Sequence, residues 1–209
     1  YGFHKAECER LLAAEPASRF PWSILRLPAV YGPGDPISRE HFFARRILAG
    51  RPILLPEGGR FLCQNIFVED VAEACCRLLV SPRAVGRAYN VGASPFTLAA
   101  YLQLAGELLG RSVSVVQVGM DFLEEGGMDP TGIPYVFDGD LVLKTTRLAE
   151  EVGFRPSVTL EEGLARTFEW LATGPAVEDH HWGLPFGAED RILRAANGGQ
   201  PRPAGAGQG

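Results

Sequence analysis

Tyr1 and Lys5 lie four residues apart in a stretch that reads as a helix, so their side chains share one face. A tyrosine hydroxyl titrates near ~10 and is a poor base at neutral pH. A neighbouring ammonium favours the phenolate and pulls that value down. The pair can then exchange a proton with a hydroxyl or carbonyl during hydride transfer. The spacing alone recurs by chance in many helices, so a second feature carries weight. Some twenty residues on, Arg26-Leu27-Pro28-Ala29-Val30-Tyr31-Gly32-Pro33-Gly34 runs from a strand end into a loop. In open α/β sheets, ligands gather at the carboxyl ends of strands.

Other chemistry-bearing residues invite structural readings. Cys8, Cys63, Cys75 and Cys76 have no Cys-x-x-Cys or metal-ligand spacing, so buried thiols in a reducing compartment are expected. His180 and His181 are adjacent and diverge on most backbones, so no metal site is expected. Arg45, Arg46 and Arg51 read as a solvated face, with phosphate binding as the alternative, and Phe42 and Phe43 as core. Asp70, at a helix start, is expected to act structurally through the helix dipole.

These residues must be held by a regular scaffold. Residues 1–15 read as a helix with Leu11 and Leu12 on its buried side, ended by Pro16 and Pro21. Trp22 to Val30 is a dense apolar run of strand length, expected as a buried parallel strand. Helices are expected over 40–50, 68–79, 97–109, 145–152 and 159–173. Short strands are expected over 51–55, 61–67, 87–92 and 112–118, and a loop over 124–140. In the helix over 68–79, Val71, Ala74, Cys75, Leu78 and Leu79 form one stripe. Thr97 reads as an N-cap with Gly110 as a stop, and Thr159 with Glu162 as a capping box. Strands alternating with helices imply an α/β protein.

The 209 residues carry 20 Lys and Arg against 25 Asp and Glu, a net charge of −5, so the basic excess of a nucleic-acid binder is absent. No apolar run reaches the ~20 residues a membrane helix needs. The chain begins on Tyr1, inside a predicted helix, and is therefore expected to be a piece of a longer protein.

Four stretches together resemble the extended short-chain dehydrogenase/reductases, the NAD-dependent epimerase/dehydratase family. They are Tyr1-Gly2-Phe3-His4-Lys5 with Glu9, the Arg26–Gly34 stretch, Phe67-Val68-Glu69-Asp70-Val71-Ala72, and Glu150–Pro156 followed by Leu160–Leu164 and Trp170. Tyr89-Asn90-Val91-Gly92 fits as well. The resemblance implies a fold consisting of the C-terminal part of a Rossmann-like parallel sheet plus a small mixed α+β substrate lobe. Residues 1–36 would end the dinucleotide-binding domain, 37–174 would mainly form the substrate lobe, and 175–209 would be an irregular or disordered tail.

The same resemblance implies roles. Tyr1 would be the catalytic acid/base, and Lys5 would tune it and hold the nicotinamide ribose of NAD or NADP. Pro28 would contact the nicotinamide through its backbone, and Ala29, Val30 and Tyr31 would approach a small-molecule substrate such as a nucleotide sugar. A cytoplasmic homodimer is implied for the full-length protein, with no nucleic-acid, membrane or metal partner. The family's Gly-rich dinucleotide loop would precede Tyr1, so the chain alone is expected to bind NAD weakly and to be inactive. Many nucleotide-sugar members carry Asn where this chain has Ala29 and Arg where it has Cys63. The alternatives are a non-catalytic binding protein of the same fold and a cofactor-free fragment. In either fragment reading, the first helix and one sheet edge are expected to lie exposed.

Overall fold

Pro28 decides the shape of the first strand. Proline has no N–H for a ladder, and the expected continuous strand divides into β1 (Ser23–Arg26) and β2 (Ala29–Tyr31) on either side of it. A computed structural model describes residues 2–174 and 186–198 of the chain. Tyr1, His180 and His181 lie outside the described residues. The remaining strands are β3 (Ile53–Pro56), β4 (Leu62–Cys63), β5 (Asn65–Phe67), β6 (Arg87–Asn90), β7 (Phe96–Thr97) and β8 (Val115–Val118). The helices are α1 (Gly2–Ala14), α2 (Arg39–Leu48), α3 (Val68–Val80), α4 (Leu98–Leu109), α5 (Met120–Glu125), α6 (Thr146–Glu151), α7 (Leu160–Thr173) and α8 (Phe186–Gly198).

The chain divides into two units. The first gathers 1–36, 62–96 and 141–174; the second gathers 37–61, 97–140 and 175–209. Two later segments thus fall in the first unit. The segment 62–96 supplies its parallel pairings: β1 with β6, Ser23 opposite Arg87, and β2 with β5, Ala29 opposite Asn65. Parallel neighbours cannot be joined by a tight hairpin and need long crossovers. The core of this unit joins Ile66, Ala74, Leu78, Tyr89, Val91, Leu148 and Phe154.

In the second unit β3 pairs in parallel with β8, Ile53 opposite Val115. Phe42 and Phe43 are core, as expected, at 1% and 0% exposure. The arginines are not a solvated face. Arg46 is fully buried: its Nε donates to Glu189 Oε1 at 3.0 Å, and its guanidinium lies 3.5 Å from the Phe42 ring centroid. Arg51 pairs with Asp190, and Arg45 stacks over Phe186 at 4.3 Å. The covering element is α8, which also corrects the expected irregular tail over 186–198. Its Ile192 and Leu193 are buried, enough apolar surface to seat a helix in an Ala- and Gly-rich segment.

Local signals stand where expected. Thr97 Oγ1 accepts from Ala100 N and Gly110 adopts φ 63°; Thr159 Oγ1 accepts from Glu162 N. Two apolar readings are corrected. The buried stripe of α3 is narrower, comprising Asp70, Ala74 and Leu78, so Cys75, Cys76 and Leu79 are exposed. Of the four thiols only Cys63 is buried. Helix α1 buries none of its residues, Leu11 being 70% exposed, and an ion pair joins it to β1. Among the described residues no helix is long and apolar enough to cross a membrane.

Candidate active site

Helix α1 meets the strand end through an ion pair. Arg26, the last residue of β1, donates Nε to Glu9 Oε1 at 2.9 Å and Nη2 to Oε2 at 2.5 Å. Such a two-point pair fixes direction as well as distance. The hydrogen bond from Arg26 holds the Glu9 carboxyl below its usual range, against a smaller opposing push from burial. Residues 5 and 9 of a helix share a face. The Glu9 contact therefore turns the face that carries Lys5 toward the end of β1, two residues before Pro28. Lys5 itself is exposed.

Pro28, Ala29 and Val30 follow as half-buried residues of the turn and of β2. Tyr31 is packed inward. It is 2% exposed, its ring edge-to-face with Phe67 at 5.5 Å. Behind it lies Gly163 of α7, where a Cβ would stand 2.8 Å from Tyr31 Cζ and 3.0 Å from Cε2. The ring is thus packed as a core group. Phe67 is in turn covered by the Arg166 guanidinium, 4.5 Å from its centroid, and Arg166 pairs with Glu69.

Carboxylate and carboxamide clasps hold the segments around β5 and α3. Asp70 performs the structural role expected of it: Oδ1 accepts from Ser157 N and Oγ at 3.0 and 3.1 Å, and Oδ2 from Val158 N at 3.1 Å. Gln64, 5% exposed, donates to Ala93 O at 2.7 Å and accepts from Leu143 N at 2.8 Å. Gly92 is required beside it, since a Cβ there would lie 2.6 Å from the Gln64 Cδ. Together they frame a cleft of about 510 Å³ past the carboxyl end of β6, lined by Gln64, Ser94, Thr145, Arg155 and Ser157 among others. Gln64 and Gly163 escaped the sequence reading. A glycine within a helical run was the one available sign for the second. Among the described residues no group of three or more His, Cys, Asp or Glu could hold a metal ion.

A helix face bearing Lys5, turned onto the end of a parallel strand that runs into a Pro-Gly loop, is an α/β arrangement of the Rossmann-like kind. The fold agrees: the UDP-glucose 4-epimerase of Thermotoga maritima, solved with UDP-glucose, superposes with a TM-score of 0.66 at 25% identity, covering 82% of this chain and 53% of that one. Residues 1–92 match the model of the NAD dependent epimerase/dehydratase family. It is 29% identical over 139 residues to a dTDP-glucose 4,6-dehydratase of Xanthomonas campestris, covering 61% of this chain and 36% of the relative. It is 25% identical over 182 residues to a dTDP-L-rhamnose 4-epimerase of Burkholderia thailandensis, covering 82% and 46%. The chain therefore spans about half the length, or less, of these relatives.

Proposed function

We propose that the protein containing this chain is an NAD(P)-dependent oxidoreductase of the epimerase/dehydratase type, acting on a sugar nucleotide or a related hydroxy/keto substrate. The observation that carries the reading is the Glu9–Arg26 pair, which aims the Lys5 face of α1 at the turn containing Pro28. Tyr1, four residues before Lys5 in the sequence, is the acid/base in this reading. The Lys5 ammonium favours its phenolate, so the hydroxyl can take a proton from a substrate alcohol and return it to a carbonyl. Lys5 also suits the nicotinamide ribose, because it is exposed and has three donors. Pro28 offers a carbonyl without an N–H, which suits a backbone contact to the nicotinamide. Bound nicotinamide supplies the hydride acceptor and donor. Ala29 and Val30, half-buried beyond it, face the substrate. The full-length protein works as a cytoplasmic homodimer, a compartment in keeping with four unpaired thiols.

The test is Tyr1→Phe in the full-length protein, assayed with UDP-glucose and dTDP-glucose as probes. The ring's packing is kept and the proton-transferring hydroxyl is lost. Turnover should fall ~100- to 10,000-fold with the fold intact. A variant within about threefold of the parent, well below the usual general-acid contribution, sinks the assignment.

A further inference from the structure

Residues 64 and 65 are consecutive buried carboxamides with opposite fates. Gln64 uses both ends, holding Ala93 and Leu143. Asn65 is 1% exposed, and its Nδ2 is buried without a hydrogen-bond partner among the described residues. A buried donor left unmade is costly, and native chains keep few of them. Leucine or valine would fill this position of a fully buried strand at lower cost.

The backbone of Asn65 explains its place but not its side chain. On one flank β5 pairs with β2, Asn65 opposite Ala29; on the other, Asn65 O accepts from Ala93 N at 2.9 Å. In-register neighbours of a parallel pair present side chains to the same face of the sheet. The carboxamide therefore shares its face with Ala29, whose single methyl is the smallest side chain that could stand there apart from glycine. Ala29 follows Pro28 directly. The unmade donor thus sits one strand from the residue that faces the substrate in the reading above.

We propose that Asn65 is a specificity-determining residue. In this role its carboxamide donates to an acceptor oxygen, a hydroxyl or carbonyl, on the sugar or hydroxy/keto portion of the substrate. The inference rests on the proposed substrate class. It adds that this chain recognises the reacting portion of the molecule through a side chain on β5, where β2 offers only Ala29. Unliganded, Asn65 weakens the fold; liganded, it discriminates. Sites that bind a polar group by a buried partner reject analogues that lack it.

Asn65→Leu and Asn65→Ala in the full-length protein test this. Titration with UDP-glucose is compared with titration by UDP alone, and thermal unfolding is followed without ligand. Asn65→Leu should raise the unligated midpoint by about 2–4 °C, as removal of an unmade donor does in a chain of this size. Both variants should bind UDP-glucose about tenfold more weakly, the loss of one hydrogen bond, with UDP affinity unchanged. Equal loss for UDP and UDP-glucose, or no loss for either, overturns the role of Asn65. So does a lower unligated midpoint in Asn65→Leu, since that marks a structural amide. A parent protein that binds UDP but gains nothing from the glucose moiety also overturns it. Parent protein that binds neither ligand overturns the sugar-nucleotide reading and this inference with it. Asn65→Ala cannot overpack, so it preserves the affinity comparison if the leucine variant fails to fold.

Discussion

Replacing Gly163 by alanine sets two known effects against each other at one buried position. In a helix interior, alanine is favoured over glycine by about 1 kcal/mol. Opposed to this is the notch. A Cβ at 163 would lie 2.8 Å from Tyr31 Cζ and 3.0 Å from Cε2, closer than real Cβ contacts allow. Tyr31 cannot yield easily. It is 2% exposed, its ring is set against Phe67, and its backbone is paired to Phe67 in β5. Overpacking of a filled core costs ~1–3 kcal/mol, more where the neighbour is pinned. The net expectation for Gly163→Ala is therefore a loss of about 1–2 kcal/mol. Denaturant unfolding at constant m-value reads this directly. Gly187→Ala is the internal control: no atom lies within 4 Å of a Cβ there, so that variant should keep or gain up to about 1 kcal/mol. A Gly163→Ala protein as stable as the parent would refute the notch, and with it the view that α7 fixes the end of β2.

Two further outcomes follow from buried and half-buried charge. Arg46→Met leaves the Glu189 carboxylate without its buried partner and should cost the second unit ~3–5 kcal/mol, whereas Arg46→Met with Glu189→Leu should recover most of it; calorimetry on both variants checks this. Burial, reinforced by the bond to the Glu151 carboxylate, pushes the Tyr89 hydroxyl above its ordinary value. A raised folded value contributes stability that is complete below the unfolded pKa near ~10 and is lost as pH rises through the folded value. Tyr89→Phe should flatten that alkaline decline in a pH series of unfolding midpoints, and lower stability at neutral pH by about 0.5–1.5 kcal/mol for the missing hydrogen bond.

What could be read in advance was local. Thr97, Gly110 and Thr159 act through neighbours three or four positions away, and each acts as its spacing required. The motif order likewise placed α1, β1 and the loop after Pro28. What escaped the sequence depends on partners far along the chain. Arg46 looked solvated because its partner, Glu189, is 143 residues away in a segment whose composition suggested no structure. Cys75 fell on an apolar stripe that periodicity drew too wide, since it was Asp70, held by Ser157 and Val158, that turned inward. The packing of Tyr31 was hidden as well, since its ring lies where Gly163, 132 residues on, leaves room for it.

The clasps of the first unit also set a timetable for its folding. Gln64 waits for Leu143, 79 residues later, and Asp70 for Ser157, 87 residues later. At a synthesis rate of about 5–20 residues per second, the partner of Gln64 emerges from the ribosome roughly 4–16 s after it. Helices such as α3 form in about a microsecond. For seconds, then, a nascent chain holds a carboxamide and a carboxylate, bound to be buried, that have not yet met these partners. A chaperone that masks residues 64–70 during that interval would protect the segment while it waits for them.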